Sequence, residues 1–185
     1  RSAENAGDLA LQVLAFTRHT HYRPRLMNLN ETIQRVLEVQ ERSLPSEIEV
    51  TVDPDPELWN IVADTTQVSQ VFLNILTNAV EAIEGEGKIA IATRNTHLED
   101  DAMPIQPGRY ICLSVQDSGS GMDAEVQTRA FEPFFTTKFQ GRGLGLAAAY
   151  GIIKRHDGHI AIDSTPGQGS TFYVYLPAKK PVVIF

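Results

Sequence analysis

The residues from 68 to 83 constrain the fold most, because their apolar side chains recur at the spacing of an amphipathic helix. At about 3.6 residues per turn, one broad stripe carries Val68, Val71, Phe72, Ile75, Leu76, Ala79, Val80 and Ile83. The opposite side carries a line of polar residues, Gln70, Asn74, Asn78 and Glu81. The stripe predicts a helix that packs on a core. The line is either an ordinary solvated face or a functional one, since asparagine inside a helix costs up to ~0.7 kcal/mol relative to alanine.

The composition indicates a soluble globular chain. With 185 residues and 42% hydrophobic content, it can bury the core of one domain with a short appendage. No apolar run approaches the ~20 residues that span a bilayer, and no signal peptide is recognisable, so we expect a cytoplasmic location. The net charge of -7 argues against a nucleic-acid partner. The single Cys112 excludes an internal disulfide, and we interpret it as a small core residue.

Helix and strand patterns along the chain predict an α+β fold. Asn30 is a candidate cap for a helix that runs to about residue 43, and Asp64 with Gln67 forms a capping-box pattern before the long helix. Further helices are predicted over 123–131 and 143–156, and strands over 47–53, 58–63, 88–95, 108–117, 158–164 and 170–177. We therefore expect a two-layer sandwich in which helices cover one face of a mixed, mainly antiparallel sheet.

The chain divides into four predicted parts. Residues 1–20 contain an amphipathic segment that reads as the end of a helix of another unit, and residues 21–29 form a basic linker with a proline. Residues 30–177 form the main domain. Residues 178–185 are a tail, whose apolar end is either a strand that packs on this domain or the beginning of a following domain.

Three glycine-bearing stretches follow the long helix. In DSGSGM, 117–122, Asp117 can accept a hydrogen bond from an exocyclic amine, and Gly119 and Gly121 permit close ligand approach, although a plain turn has the same pattern. GRGLGL, 141–146, opens a helix whose N-terminal amides can cradle an anion, or it is a hinge. It lacks the lysine and hydroxyl spacing of a P-loop. GQGSTF, 167–172, is also compatible with a hairpin turn.

Taken together and in this order, these stretches resemble the ATP-binding domain shared by histidine kinases, gyrase-type topoisomerases, heat-shock chaperones and mismatch-repair ATPases, the GHKL superfamily. QVFLNILTNAVEAI resembles the N box of the kinases, DSGSGM and GRGLGL the two glycine boxes, FEPFFTTK the F box and GQGSTFYVYLP the closing strand. The resemblance covers residues 28 to 177. Within the kinases, NAVEA and FEPFFTTK have the form of the nitrogen-regulation type. The segment DLALQVLAFTR resembles the end of the dimerisation and histidine-phosphotransfer unit that precedes this domain.

The resemblance implies a site for ATP and Mg²⁺. Asn78 would coordinate the Mg²⁺ that bridges the phosphates, with Asn74 and Glu81 holding its waters and the phosphates. Asp117 would receive the adenine amine. The other positions that the resemblance assigns to ATP are Gly119, Gly121, Met122 and Ser170 or Thr171 around the base, and Lys138, Gly141, Arg142, Gly143, Leu144, Gly145 and Leu146 around the phosphates.

The resemblance further implies a sensor kinase. Such an enzyme transfers the γ-phosphoryl group to a histidine on its own dimerisation domain, for relay to an aspartate of a response regulator receiver domain, and is a homodimer at full length. None of the five histidines stands in the phosphoacceptor context, a His-Glu or His-Asp pair on the first helix of the preceding unit. We therefore expect this chain alone to be inactive in autophosphorylation. We interpret His156, at a helix end, as structural.

Two alternatives belong to other classes. An ATPase of the gyrase or chaperone kind needs a carboxylate one turn before the magnesium asparagine, where this chain has Asn74. A regulatory module would bind nucleotide without kinase activity. The intact glycine stretches and Asn78 argue against the second alternative, and measured phosphotransfer would decide.

Overall fold

The computed structural model describes residues 22–99, 104–137 and 143–179. The predictions for residues 1–20, for Lys138, Gly141 and Arg142, and for most of the tail fall outside these ranges. The helices of the described part are α1 (Leu29–Gln40), α2 (Thr65–Ala82), α3 (Ala124–Arg129) and α4 (Gly145–Arg155). Its strands are β1 (Arg25–Met27), β2 (Ile48–Asp53), β3 (Ile61–Ala63), β4 (Gly87–Leu98), β5 (Gly108–Asp117), β6 (His159–Ser164) and β7 (Ser170–Pro177). No helix in these ranges has the length and apolar character needed to cross a membrane.

The strands form a five-stranded sheet and a separate two-stranded ribbon. The five-stranded sheet has the order β2-β4-β5-β7-β6, and only its β2–β4 pair is parallel. The ribbon pairs β1 with β3 in antiparallel fashion. Ile111, Leu113 and Val115 of β5 are buried in the same core as α2, so the helices cover one face of the sheet. The predicted mixed, mainly antiparallel α+β sandwich is confirmed.

Helix α2 packs on this core as its sequence pattern predicts. Val68, Val71, Phe72, Ile75, Leu76 and Ala79 are all buried, and Phe72 and Ile75 have no exposed surface. Val80 and Ile83 lie at the border of the core and are partly buried. The apolar stripe therefore fixes the rotation of α2, and that rotation turns the polar line away from the sheet.

Several predicted boundaries and one cap are wrong. Asn28, not Asn30, caps α1, because its Oδ1 accepts the backbone N–H of Asn30 at 2.9 Å. The Asn30 amide instead donates to Asp55 O and accepts from Thr93 Oγ1. Helix α1 ends at Gln40, before the predicted 43. Strand β3 begins at Ile61 rather than 58, since a turn bond joins the residue at 58 to Asp55 O.

Cys112 does not belong to the core, contrary to the sequence-based interpretation. It lies half-buried on the face of β5 opposite to Ile111 and Leu113. Its Cα pairs with that of Tyr175 on β7. Burial raises the pKa of the Cys112 thiol, although a hydrogen bond with Tyr175 partly offsets that effect. The thiol is therefore neutral near pH 7 and packed beside Tyr175.

The start of α2 is held by a buried network around Asp64. Asp64 Oδ1 accepts the backbone N–H groups of Thr66 and Gln67, and Oδ2 accepts that of Arg23 at 2.8 Å. The predicted capping box is only half formed, because the N–H of Asp64 donates to His156 Nε2 instead of the Gln67 side chain. The other ring nitrogen of His156 bonds Ile152 O at 2.8 Å. His156 is therefore a buried structural residue, as its position at a helix end predicts.

We expect Asp64→Ala to destabilise the domain by about 1–2 kcal/mol, the usual effect of losing an N-cap. Burial tends to raise the pKa of Asp64, but the N–H groups of Arg23, Gln67 and Thr66 outweigh it and lower that pKa below 3.8. A lowered carboxyl pKa stabilises the fold above 3.8, and this contribution disappears as the pH falls through the folded-state value.

Urea unfolding of the unmodified chain and of Asp64→Ala, carried out at several pH values between 7 and 2, measures the contribution of the Asp64 carboxylate to the free energy of unfolding. The stability difference should narrow at the acid end. Asp123→Ala is the matched control, because Asp123 caps α3 through one exposed bond to Val126 N. A difference that stays constant down to pH 2 would contradict the proposed ionisation of Asp64.

Candidate functional site

The polar face of α2 forms one wall of a cleft of about 840 Å³. The loop after β5, the start of β7 and the N-terminus of α4 form the other walls. The cleft brings together most residues that the sequence assigned to a ligand: Asn74, Asn78, Glu81, Asp117, Gly121, Met122, Gly143, Leu144, Gly145, Leu146 and Ser170. A second hollow of about 690 Å³, between α1 and β2, contains none of these residues.

Asp117 lies at the end of β5 with its carboxylate buried in the cleft. The side chain is 3% exposed. Its Oδ1 accepts the backbone N–H of Gly119 at 2.8 Å and that of Ser170 at 3.2 Å. Two strands position it, because Asp117 and Ser170 are paired residues of β5 and β7. The carboxylate is therefore an oriented hydrogen-bond acceptor, suited to a ligand that offers an N–H group.

Asn74 and Gln70 connect α2 to the N-terminus of α4. The Asn74 amide donates to Gly145 O at 2.8 Å, and its Oδ1 accepts from Gln70 Nε2 at 3.1 Å. Gln70 itself does not line the cleft. The polar line is thus not a plain solvated face. Its first half holds two helices together, and its second half, Asn78 and Glu81, lines the cleft one to two turns further along α2.

The N-terminus of α4 faces the cleft. Its N-cap residue, Leu144, contributes no side-chain hydrogen bond to cap it. Gly143, just before it, has φ +62, and its carbonyl accepts the N–H of Phe134 at 2.8 Å. The first N–H groups of a helix have no partner within the helix and lie at the positive end of its dipole. This wall can therefore bind anionic groups.

Neither glycine of the loop after β5 leaves room for a side chain. Gly121 lines the cleft and has φ +67, and a Cβ there would collide with Thr165 O. Gly119 does not line the cleft, and a Cβ there would collide with Ala82 O at the end of α2. The requirement for glycine at 119 is therefore close packing against the helix, rather than close approach of a ligand.

The neighbouring hydroxyl groups of Ser170 and Thr171 lie differently with respect to the cleft. Ser170 lines the cleft and is buried, whereas Thr171 does not line it. Successive side chains of a strand point to opposite faces, so one residue of the pair must face away from the cleft. The alternation of buried Phe172 and Val174 with partly exposed residues along β7 carries the signal that selects Ser170.

Sequence reasoning missed several residues of the cleft. Leu73, Thr77, Val126, Ala130, Phe135, Thr136, Thr137 and Phe172 also line it. The sequence could have predicted Thr77, because it lies three residues after Asn74 and therefore on a neighbouring part of the same helix surface. Val126 and Ala130 reach the cleft through the position of α3, which the sequence pattern does not specify.

Comparison with known proteins agrees with this arrangement. Residues 63–180 match the family described as histidine kinase-, DNA gyrase B- and HSP90-like ATPase, and this range includes the whole cleft. The chain belongs to this family. The cleft therefore lies within the part of the chain that matches this ATPase family.

The similar curated proteins are sensor kinases. The chain is 37% identical to the sensor kinase CckA of Brucella abortus (strain 2308) over 183 residues, which are 96% of this chain and 19% of CckA. It is 39% identical to the signal transduction histidine-protein kinase AtoS of Escherichia coli (strain K12) over 167 residues, or 90% of this chain and 26% of AtoS. The chain thus spans about a fifth to a quarter of the length of these relatives.

Solved kinase structures share the fold. The catalytic domain of histidine kinase ThkA superposes with a TM-score of 0.72 at 32% identity, covering 84% of this chain and 96% of that one. ThkA in complex with response regulator protein TrrA gives a TM-score of 0.70 at 27% identity, covering 96% of this chain and 48% of that one. The similarity to the nitrogen-regulation type in particular stays a prediction.

Proposed function

We propose that this domain binds Mg-ATP in the cleft and transfers the γ-phosphoryl group to a histidine of its own dimerisation domain. The observation that carries the proposal is that Asp117, the polar face of α2 and the N-terminus of α4 line one cleft. The buried carboxylate would accept the adenine amine, and the helix N-terminus would face the phosphates. The relatives support the kinase class, since both are named as sensor or histidine kinases.

The donor chemistry of α2 fits Mg²⁺ held together with nucleotide. In the described ranges, no group of three or more His, Cys, Asp or Glu residues is arranged to hold a metal ion. Asn78 and Glu81 offer oxygen ligands from one face of the helix, and Mg²⁺ commonly keeps several waters beside one or two protein oxygens and substrate phosphates. Asn78 would be the direct ligand and Glu81 would hold a metal water. The bound metal supplies neutralisation of phosphate charge.

Asn74 has a supporting role in this proposal. Its amide is bonded to Gly145 O and to Gln70, so it fixes the N-terminus of α4 relative to Asn78. An amide takes up no proton near neutral pH and cannot activate water as a base. This disfavours the alternative of an ATPase of the gyrase or chaperone kind.

The organisation of the longer protein is part of the proposal. Residues 1–20 would end a dimerisation and phosphotransfer helix, 21–29 would link it to the catalytic domain at 30–177, and 178–185 would be a tail or lead into a receiver domain. The parent protein would be a homodimer whose partner is a response regulator receiver domain. The structure of ThkA with its response regulator supports that kind of partner. A cytoplasmic location of the domain fits the same scheme.

Phosphotransfer to a supplied acceptor tests the proposal. The chain is incubated with γ-labelled Mg-ATP and the helix pair of the parent's dimerisation domain, and acid-labile phosphate on the acceptor histidine is counted. We expect labelling that requires both proteins. Asn78→Ala is the matched negative control. Absence of labelling despite bound ATP and a folded acceptor would favour a regulatory nucleotide-binding module instead.

Without an acceptor, we expect the chain to keep Mg-ATP bound and intact. Phosphoryl transfer depends on an acceptor placed in line with the γ-phosphate, and neither a phosphoacceptor histidine nor a base at Asn74 is provided by this sequence. Phosphate release should therefore stay far below ~1 per second, the low end of ordinary turnover numbers. Release at ordinary enzymatic rates by the unmodified chain would establish the ATPase alternative.

A further inference from the structure

The loop after β5 lines the end of the cleft where the nucleobase is proposed to bind. The side chain of Gln127, which lies outside the cleft, holds this loop in place. Gln127, on the short helix α3, donates from one amide nitrogen to Met122 O at 3.0 Å and to Ser164 O at 2.9 Å. The first carbonyl belongs to the loop after β5 and the second to the end of β6. The side-chain amide of Gln127 thus joins the segments of Met122 and Ser164, which are 42 residues apart in sequence. Gln127 itself does not line the cleft.

Ser164 makes a second connection between the same segments. Its Oγ accepts the backbone N–H of Met122 at 2.8 Å, donates to Gly169 O at 2.9 Å and lies 2.9 Å from Ser170 Oγ. Met122 is consequently held through its N–H by Ser164 and through its C=O by Gln127. Met122 lines the cleft, whereas Ser164 does not.

The hydrogen bonds of Ser164 determine whether the Ser170 hydroxyl donates or accepts in the bond between the two serines. A hydroxyl group has one proton, and a carbonyl oxygen can only accept, so the Ser164 proton lies on the bond to Gly169 O. The proton between the two serines must then come from Ser170. Ser170 lines the cleft beside Asp117, and with its proton directed to Ser164 its oxygen presents lone pairs to a ligand. Two acceptors thus lie side by side at the base end of the cleft.

We propose that Gln127 and Ser164 are positioning residues that make this cleft selective for a base with an exocyclic amine. They hold Met122 against the base, and Ser164 keeps the Ser170 hydroxyl an acceptor next to the Asp117 carboxylate. A base with a carbonyl at that edge would meet two acceptors and bind poorly. This inference rests on the proposed ATP site and concerns how that site selects its base.

Calorimetry with Mg-ATP, Mg-ITP and Mg-tripolyphosphate tests the proposal. Inosine carries a carbonyl where adenine carries the amine, and tripolyphosphate has no base at all. Ser164→Ala releases the Ser170 proton, so we expect the ratio of ATP to ITP affinity to fall about threefold to tenfold, with tripolyphosphate affinity unchanged. Ser164→Thr retains the hydroxyl and should restore the ratio. Gln127→Met keeps the side-chain volume, removes both donors and should weaken ATP and ITP but not tripolyphosphate.

A double-mutant cycle separates positioning from general structural loss. Ser164 acts on selectivity through Ser170, so in a Ser170→Ala background Ser164→Ala should change the ATP to ITP ratio less than about twofold. Thr128→Ala is the control on α3, since its exposed hydroxyl bonds Ala124 O within the same helix. If Ser164→Ala does not fold, the Gln127→Met result decides alone.

The results that would overturn this inference differ from the result that would overturn the proposed function. If the unmodified chain binds ATP selectively over ITP and both variants keep that ratio and that affinity, Gln127 and Ser164 are not positioning residues and the inference is overturned. Equal losses of ATP and tripolyphosphate affinity would overturn it as well. If the unmodified chain binds no ATP, the proposed function itself is wrong.

Discussion

Asp117→Ala is expected to weaken Mg-ATP binding at least about tenfold, because the adenine amine loses its buried acceptor. A hydrogen bond to a charged group contributes ~1.5–3 kcal/mol, and ~1.4 kcal/mol corresponds to a tenfold change in affinity. The substitution also deprives the N–H groups of Gly119 and Ser170 of their shared acceptor. Both effects act on the base end of the cleft, so tripolyphosphate binding should change little.

Asp117→Asn gives a sharper result than alanine. The new amide would keep its oxygen on the N–H groups of Gly119 and Ser170, since those two donors need an acceptor. Its NH₂ group would then face the ligand, where the unmodified chain presents an acceptor. ATP affinity should fall while GTP affinity rises, because guanine has a carbonyl at the corresponding edge. The prediction is a reversal of preference rather than a general loss.

Calorimetry with Mg-ATP and Mg-GTP measures both variants. Asp163→Asn is the control, because Asp163 is exposed on β6 and outside the cleft. Unfolding curves establish that the variants remain folded. Equal affinities of the unmodified chain for ATP and GTP would contradict the assignment of Asp117 to the adenine amine.

The sequence could predict those parts of the fold and the cleft that depend on periodicity and on strand ends. The apolar stripe of α2 determined which side of the helix is buried, and hence that Asn78 and Glu81 face away from the core. Asp117 could be identified because it ends a strand whose alternating residues are buried. In both cases the signal is local, since a helix or strand presents its faces at a fixed spacing.

Features set by contacts between distant segments could not be predicted. By residue type, Asn28 and Asn30 are equally good helix caps. In the fold, the Asn30 amide is bonded to Asp55 O and Thr93 Oγ1, so Asn28 caps the helix. The spacing of Asp64 and Gln67 predicts a capping box. In the fold, however, the N–H of Asp64 donates to His156 Nε2, 92 residues away, instead of to the Gln67 side chain. Gln127 is an ordinary residue of a short helix until the fold places two carbonyls beside its amide.

The polar line of α2 combines both kinds of information. The sequence showed the regular spacing of these polar residues. It did not show that Asn74 bonds α4 while Asn78 and Glu81 line the cleft further along the helix. Asn74 is bonded to Gly145 O across 71 residues, and this bond fixes the N-terminus of α4 opposite Asn78. The proposed metal ligand and the proposed phosphate cradle are therefore held at a set separation by the residue between them. We expect substitutions at Asn74 to disturb phosphate binding through α4 rather than through the metal.

Asn78→Ala is expected to remove most of the gain in ATP affinity that Mg²⁺ provides. Mg²⁺ bound with nucleotide takes one or two oxygen ligands from the protein. Asn78 lines the cleft one turn after Asn74, the residue bonded to Gly145 O of α4. Binding measured in EDTA should stay nearly unchanged. Binding measured with Mg²⁺ should fall by about tenfold or more, equivalent to ~1.4 kcal/mol, and transfer to a supplied acceptor should be lost with it.

The same substitution should not destabilise the fold, and this separates a ligand role from a structural one. Alanine is favoured over asparagine inside a helix by up to ~0.7 kcal/mol, which offsets much of the ~0.5–1.5 kcal/mol of a lost hydrogen bond. The melting temperature of Asn78→Ala should therefore stay close to that of the unmodified chain. Thr77→Ala, at the next position of the same cleft wall, is the control for shape. A variant that melts earlier, with ATP affinities reduced equally in EDTA and in Mg²⁺, would assign Asn78 to structure. A variant that is about as stable and has lost its response to Mg²⁺ would explain why α2 keeps a helix-disfavouring residue at this position.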